Sequence, residues 1–427
     1  MNFFKLKEHG TNVKTEVIAG VSTFLAMLYI IPVNAAIMSE AGMPYGALVT
    51  ATVVMTIIAT LINAFWSNTP IAMSVGMGLN AFFTFGLVKG MGLTWQTALG
   101  VEVVSSVLYV LVTLTPLRRW LVETMPLDFK RAVSAGIGAF ISFIGLEQLH
   151  IIVKNDATLV TLGNLQETSV LMGIFALLLS LLLLLKKVPG AFIISIATTT
   201  VLAWTFGISD LPKSFISAPA SLSPLLFQMN IVEVLKWSMV PVLLTFLITD
   251  IFDTLGTLTG LGLRAGLFEG HKSVALEKSI EADAAGTFLS GFAGVTSTTP
   301  FIESAAGVEA GGRTGLTAVV TATLFLLPLF ALPFFKAIPT FAIYPVIILV
   351  GTMMFSELRA INYDDPAMLY STFFTVLGMP MTYSITDGLM LGALVYVTVK
   401  AMDGKIKETS KGMLALALVG ILLFFFL

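Results

Sequence analysis

The chain has 427 residues, of which 56% are hydrophobic and 11% are charged, and its formal net charge is -2. A soluble globular protein carries roughly 25% charged residues, so this composition cannot cover a water-facing surface. The near-neutral charge also gives no reason to expect nucleic acid as a partner. The sequence therefore predicts a polytopic, all-α membrane protein.

Residue types that commonly carry enzyme chemistry are scarce. Cysteine is absent, and none of the three histidines lies in the middle of an apolar run. Without thiolates or clustered imidazoles, the sequence offers no disulfide, no metal site and no thiol nucleophile. It also contains no phosphate-binding loop motif. We therefore expect no cofactor, no metal and no enzymatic activity.

Apolar runs long enough to cross a bilayer as a helix recur along the whole chain. The predicted spans 1 to 14 cover residues 16–38, 45–66, 70–88, 93–115, 131–150, 168–186, 190–206, 232–263, 279–295, 297–311, 314–334, 337–356, 366–380 and 382–401. A last apolar run at residues 411–427 is either an additional span or a helix at the membrane surface. The sequence leaves these two possibilities open.

Basic residues orient the predicted spans. The polar segment before span 1 carries three lysines, and cytoplasmic segments are enriched in lysine and arginine. Arg313 after span 10 and Arg359 after span 12 then fall on the same side as the N-terminus. We therefore expect a multi-pass protein of the cytoplasmic membrane with its N-terminus in the cytoplasm.

The spans divide into two halves of seven. The longest connection expected outside the cell, residues 207–230, joins the half at 1–206 to the half at 231–427. An odd number of spans per half makes the second half enter the membrane in the opposite orientation, as in an inverted repeat. The third spans, starting near Pro70 and Ser297, are both short and interrupted by Gly or Pro. Matching interrupted segments are typical of a transporter binding site.

Three acidic residues lie inside apolar segments. Asp250 and Asp253 are three residues apart in span 8, and Glu303 lies in the interrupted span 10. A carboxylate at membrane depth costs about 3 kcal/mol or more, so it normally faces a cavity, a partner or a substrate. We interpret Asp253 and Glu303 as substrate-binding residues. Asp250 either supports Asp253 or shares a proton with it.

Other polar residues in the spans are harder to interpret. Asn80 follows two glycines in span 3 and either bridges helices or binds the ligand, because a buried amide needs partners. Pro32 is expected to kink span 1. We interpret Glu102, Glu147 and Asp387 as residues near the membrane surface or at helix ends.

The predicted site has carboxylates but no lysine or arginine at membrane depth, which disfavours an anionic substrate. A carboxylate accepts two neighbouring N–H groups, and this pattern matches the edge of a nucleobase. A carboxylate that gains and loses a proton can couple uptake to a proton gradient. A carrier of another solute or of an anion, and a nucleobase receptor without accumulation, remain alternatives. A channel would need a continuous polar lining, which the spans lack.

Four motifs are spread over nearly the whole chain. They are VIAGVSTFLAM at residues 17–27, GMGLNAFF at 76–83, DIFDTLGT at 250–257 and TTPFIESAAGVEAGG at 298–312. Together they resemble the AzgA-like purine permeases of the nucleobase–cation symporter 2 group, also called nucleobase–ascorbate transporters. The resemblance implies a fourteen-span, seven-plus-seven inverted repeat with core and gate domains drawn from both halves, and short strands in spans 3 and 10.

The resemblance also implies a function and a set of site residues. It implies import of hypoxanthine, guanine or adenine with protons, by an elevator-like movement of the core, and a possible homodimer through the gate domain. Around the base it implies Met77, Gly78, Asn80, Asp253, Phe301, Ile302 and Glu303. The proton-coupling residues would be Asp250, Asp253 and Glu303. Asp253 stands where related uracil–proton symporters have the longer Glu, which leaves room for a larger base or a water.

Overall fold

The fold is a bundle of membrane-length helices with two short crossing strands at its centre. The computed structural model describes residues 3–115, 124–265 and 274–426. In these residues, eight helices are long and apolar enough to cross a membrane, and three apolar helices are shorter. The multi-pass organisation expected from composition is therefore observed.

The helices of the first half follow the predicted spans closely. They are α1 (Val13–Met27), α2 (Ile30–Ser39), α3 (Tyr45–Trp66), α4 (Met77–Ala81), α5 (Trp95–Thr113), α6 (Leu127–Gln148), α7 (Thr168–Leu185) and α8 (Ala191–Thr205). A π-helix, Phe82–Gly90, continues α4. A hairpin of β2 (Ile152–Asn155) and β3 (Leu159–Leu162), which the sequence did not predict, connects α6 to α7.

The second half repeats this plan with more interruptions. Its helices are α9 (Val240–Ala265), α10 (Val274–Ala293), α11 (Ser304–Glu309), α12 (Gly315–Leu324), α13 (Leu332–Lys336), α14 (Thr340–Phe355), α15 (Pro366–Thr382), α16 (Ile385–Met402) and α17 (Lys411–Phe426). Short 3₁₀ turns lie at Val232–Leu235, Trp237–Met239, Leu327–Phe330, Ser356–Ala360 and Ile406–Glu408.

Two short strands meet at the centre of the molecule. β1 (Met73–Val75) and β4 (Thr298–Pro300) are antiparallel, with Ser74 opposite Thr299. The pairing extends past both strands, because the Gly76 amide donates to the Ser297 carbonyl at 2.9 Å and the Phe301 amide donates to the Ala72 carbonyl at 3.0 Å. Non-helical backbone at membrane depth needs such partners. The strands expected in spans 3 and 10 are therefore confirmed.

Span 1 is broken rather than gently kinked. α1 ends at Met27, and α2 begins at Ile30. Pro32 has no N–H group, and its ring clashes with the carbonyl four residues earlier, which belongs to Leu28. The break therefore falls one turn before the proline, and it places Tyr29 in the buried interior.

The helices pack in two groups, each drawn from both halves of the chain. The first bundle contains α1, α3, α5, α9, α10, α11 and α12 with β1 and β4, and the second bundle contains α6, α7, α8, α14, α15 and α16. In the second bundle α6 and α14 approach closely at Gly138, where a Cβ atom would lie 2.8 Å from the Met354 Cβ. The two bundles meet where α4 and α9 face α6.

The last apolar run forms a helix that folds back along its predecessor. α17 packs on α16, and a Cβ atom at Gly420 would lie 3.2 Å from the Met390 Cβ. Met413 and Leu416 are buried by this contact. Of the two possibilities left open by the sequence, this antiparallel packing favours an additional membrane-embedded helix over one lying apart at the surface.

A buried glutamate joins the two halves at one end of the first bundle. Glu16 in α1 is fully buried. Its carboxylate accepts hydrogen bonds from the Arg313 amide at 3.0 Å, the Thr314 hydroxyl at 2.9 Å, and the Thr317 amide and hydroxyl at 3.1 and 2.6 Å. These donors surround the N-terminus of α12, where a negative charge is favourable. Sequence reasoning did not single out Glu16.

The Glu16→Ala variant should be less stable than the wild type by about 2–4 kcal/mol, because four donors, three of them buried, would lose their acceptor. The measurement is thermal unfolding of the purified protein in detergent. Glu8→Ala is the control, since Glu8 forms an exposed pair with Lys5 at 3.2 Å, and such pairs contribute about 1 kcal/mol or less. Equal melting temperatures for the two variants would contradict the capping role.

Candidate functional site

A small cavity lies between the two bundles beside the crossing strands. Its volume is about 20 Å³, which is room for about one water. It is lined by Gly78, Leu79, Val133, Ser134, Ile137, Thr249, Phe252, Asp253 and Met354. None of these lining residues is basic. The cavity therefore lies where residues of α4 and of α9 in the first bundle meet α6 and α14 of the second bundle.

The two acids assigned to the substrate lie close together at this place. Asp253 lines the cavity from α9, and Glu303 precedes α11 directly after β4. Both side chains are partly exposed, unlike most polar residues of the first bundle, and the two carboxyl groups interact electrostatically. The hydroxyl of Tyr29 donates a hydrogen bond to the Glu303 carboxylate. The structure thus brings together two acids from spans 8 and 10, both in the second half of the chain.

The residues flanking Glu303 point in different directions. Ile302 is 43% exposed, whereas Phe301 is 5% exposed and packs in the hydrophobic core. In α4, which follows the facing strand β1, Met77 is buried and Gly78 lines the cavity. A Cβ atom at Gly78 would lie 3.1 Å from Ile137 Cγ2, so glycine allows α6 to approach.

Asn80 lies behind the crossing strands, outside the residues that line the cavity. Its side chain is fully buried, and its Oδ1 accepts a hydrogen bond from the Thr296 hydroxyl. Its Nδ2 has no hydrogen-bond partner within the described ranges. In this conformation Asn80 connects span 3 to the segment before β4, which matches the bridging interpretation of this residue.

A second group of acids is buried inside the first bundle. Asp250 is 3% exposed and interacts electrostatically with Asp283 and Glu102. Asp283 in α10 is fully buried and accepts hydrogen bonds from the Tyr109 hydroxyl at 2.9 Å and the Thr254 hydroxyl at 2.6 Å. We call Asp250, Asp283 and Glu102 the buried acidic cluster.

The interpretation of Glu102 as a residue near the membrane surface was wrong. Glu102 is fully buried in α5 and accepts a hydrogen bond from the Ser297 hydroxyl at 3.0 Å, directly before β4. Glu102 is buried because α10 packs over its side chain, and a glycine of α10 leaves room for that side chain. Glu147 accepts a hydrogen bond from Tyr383 at 2.7 Å, and Asp387 lies in the first turn of α16, as expected of a helix-end residue.

The sequence did not indicate two residues that lie in or beside the site. Asp283 lies two residues after Glu281, so the start of span 9 resembles a solvated helix end. Tyr29 lies among apolar residues of span 1, where an aromatic residue does not by itself indicate a functional role. The one available signal for Tyr29 was Pro32, which breaks the helix beside it.

The hydrogen-bond acceptors of the site suit a ligand that carries N–H groups. Ionised carboxylates only accept hydrogen bonds; Asp253 lines the cavity, and the partly exposed Glu303 interacts electrostatically with it. Among the described residues, no group of three or more His, Cys, Asp or Glu side chains is arranged to hold a metal ion. The arrangement therefore favours binding of a neutral or cationic solute through its donors.

Comparisons with known proteins agree with this geometry. A permease family model matches residues 14–391. The chain is 38% identical to the guanine/hypoxanthine permease PbuO of Bacillus subtilis over 412 residues, which cover 95% of each protein. It is 36% identical to the adenine permease AdeP of Escherichia coli over 420 residues, which cover 98% of this chain and 94% of AdeP.

Solved structures support the fold. The transmembrane domain of the cyanobacterium bicarbonate transporter BicA matches with a TM-score of 0.62 and 15% identity, covering 87% of this chain and 97% of that domain. At this identity the likeness concerns the fold alone. The seven-plus-seven inverted repeat expected from the sequence is confirmed.

Proposed function

The chain belongs to the permease family of nucleobase transporters, and we propose that it imports purine bases by proton symport. It is a multi-pass membrane transporter and not an enzyme. In this proposal the substrate is hypoxanthine, guanine or adenine, the bases named for its relatives. The membrane is the cytoplasmic membrane, with the N-terminus on the cytoplasmic side.

The observation that carries the proposal is the pair Asp253 and Glu303: Asp253 lines the cavity between the bundles, and the partly exposed Glu303 of the interrupted span 10 interacts electrostatically with it. A nucleobase presents N–H donors along its edges, and carboxylates accept them. Glu303 would anchor one N–H edge of the base, and Asp253 would bind the other side. An anion would lack a positive partner among the described lining residues, which disfavours an anion carrier on the same fold.

The other predicted site residues have supporting parts in this proposal. Gly78 and Ile302 would border the base, Gly78 from the cavity wall and Ile302 through its exposed side chain. Met77 and Phe301 would support these two neighbours from the buried side. Asn80 would hold the two crossing segments together through Thr296.

Alternating access in this proposal is a movement of the first bundle against the second. A cavity of about 20 Å³ is far too small for a purine ring, so the bundles would separate to admit one. The first bundle would be the moving core and the second the gate, each drawn from the repeats 1–206 and 231–427, which the connector 207–230 joins. A homodimer would form through the gate.

The coupling proton would be carried by the acids of the site. Asp253 would bind it together with Glu303, and Asp250 would act as a relay or support for Asp253. Ionising a carboxyl group inside a membrane protein costs free energy, so a change in substrate occupancy can favour proton binding or release. Import of a neutral base would then draw on the proton gradient.

The test is uptake of radiolabelled hypoxanthine, guanine, adenine, xanthine and uracil into a bacterium that lacks its own purine transporters. Each base is measured with and without a protonophore, and with sodium replaced by choline. Accumulation of a purine that the protonophore abolishes and choline leaves unchanged is the expected result. No accumulation of any base, with the protein present in the membrane, would overturn the proposal.

A further inference from the structure

Tyr29 connects the break in span 1 to the candidate substrate acid. Its side chain is fully buried between α1 and α2. Its hydroxyl donates to Glu303 Oε1, and no other side chain among the described residues donates a hydrogen bond to that carboxylate. The Tyr29 ring lies edge-on to Phe192 of α8, with 4.9 Å between the ring centroids. The ring is therefore held in place independently of the hydroxyl.

We propose that Tyr29 is the positioning residue of the substrate site: it holds one oxygen of Glu303 and presents the other oxygen to the N–H group of the base. This inference rests on the proposed function. Glu303 needs such a partner, because a glutamate side chain has three rotatable bonds and this one is partly exposed. A binding group is held accurately only when neighbouring groups fix its rotamer.

Breaking the hydrogen bond from the Tyr29 hydroxyl to Glu303 is energetically unfavourable. A buried hydroxyl without a partner costs about 1–3 kcal/mol, and water has no access to a fully buried Tyr29. Hydrogen bonds to an ionised group are also the stronger ones. Rotation of Glu303 away from Tyr29 would lose both contributions, so the carboxylate keeps a fixed orientation while the base enters and leaves.

A purely structural role for the hydroxyl makes a different prediction. In Tyr29→Phe the ring contact with Phe192 remains, and the hydroxyl disappears together with its need for a partner. Glu303 is partly exposed, so its freed oxygen can bind water instead. Stability should then change little, whereas the orientation of the carboxylate, and with it the affinity for the base, should be lost.

The test compares the kinetics of purine uptake by the wild type, Tyr29→Phe and Tyr45→Phe. For Tyr29→Phe we expect KM to rise about tenfold or more, because one hydrogen bond to a charged group is lost. Vmax should remain nearly unchanged. Tyr45→Phe is the matched control, because its hydroxyl donates to the Phe335 carbonyl at 3.0 Å rather than to a site acid. The KM of this control should equal that of the wild type.

A double-mutant cycle separates positioning from a general disturbance. Aspartate at position 303 is too short to reach Tyr29, so Tyr29→Phe should have no further effect on KM in a Glu303→Asp background. Additive effects, or an unchanged KM in Tyr29→Phe alone, would overturn this inference while the wild type still transports a purine. A wild type that transports no base would overturn the proposed function and this inference with it.

Discussion

Replacement of Glu303 by Gln should reduce the initial rate of purine uptake at least about 100-fold, which corresponds to about 3 kcal/mol. Glutamine has the same shape, but it lacks the charge and turns an NH₂ donor towards the N–H edge of the base. A site built to accept hydrogen bonds discriminates strongly against such a mismatch. Uptake is measured with the labelled purine identified for the wild type, normalised to the amount of protein in the membrane.

The chain offers a matched control for this substitution. Glu309 is the last residue of the short helix α11 that Glu303 precedes, and its side chain is exposed. Glu309→Gln should therefore transport at the wild-type rate. If both variants transport equally well, Glu303 does not anchor the base.

Asp253→Asn should also lose uptake, because Asp253 lines the cavity opposite the strands. The reason differs from that for Glu303, since this acid is assigned the coupling proton as well as a substrate contact. The two losses should therefore differ in an exchange assay, which requires binding of the base but no net proton movement: Asp253→Asn should retain more exchange than Glu303→Gln. This comparison separates anchoring of the base from coupling of its transport to the proton gradient.

Much of the fold could be predicted because its signals are local. The apolar runs gave the spans, and Pro300 with its neighbouring small residues marked the interrupted segment that became β4. The motif around Asp253 and Glu303 carried the resemblance to nucleobase permeases, which the family match confirms. These features depend on short stretches of sequence and on the length of a bilayer.

The parts that could not be predicted depend on which helices pack together. Glu102 was interpreted as a residue near the membrane surface, and Glu16 was not singled out, yet each is buried by a helix distant in sequence. The sequence around Asp283 is typical of a polar helix start, whereas in the structure Asp283 accepts hydrogen bonds from Tyr109 of α5 and Thr254 of α9. Hydropathy along one helix cannot reveal which of its faces a partner covers.

The packing separates two acids that the sequence placed side by side. Asp253 borders the cavity, whereas Asp250, one turn earlier in α9, turns into the first bundle towards Asp283 and Glu102. A ligand in the cavity would touch Asp253 without touching Asp250. An acid that lies near the ligand but makes no contact with it suits the relay function assigned to Asp250.

The Asp250→Asn variant should therefore exchange purines but fail to accumulate them. Asparagine keeps the shape of the side chain and cannot bind or release a proton at this position. A membrane potential of 100 mV acting on one symported proton supports accumulation of about 50-fold, and this is the amount that the variant should lose. Exchange of internal unlabelled base for external labelled base needs no net proton movement, and it should continue near the wild-type rate.

Net uptake and exchange are compared in proteoliposomes with an imposed pH gradient and potential, using Asp387→Asn as the control. Asp387 is a half-buried acid at the start of α16 in the second bundle, and its replacement should leave accumulation intact. Accumulation by Asp250→Asn that remains sensitive to the protonophore would assign the coupling proton to Asp253 or Glu303, the two acids proposed to contact the base. Loss of exchange together with accumulation would instead make Asp250 part of the binding site, against its burial behind the cavity wall. Only the separation of the two activities fits a relay that binds protons one helical turn away from the substrate.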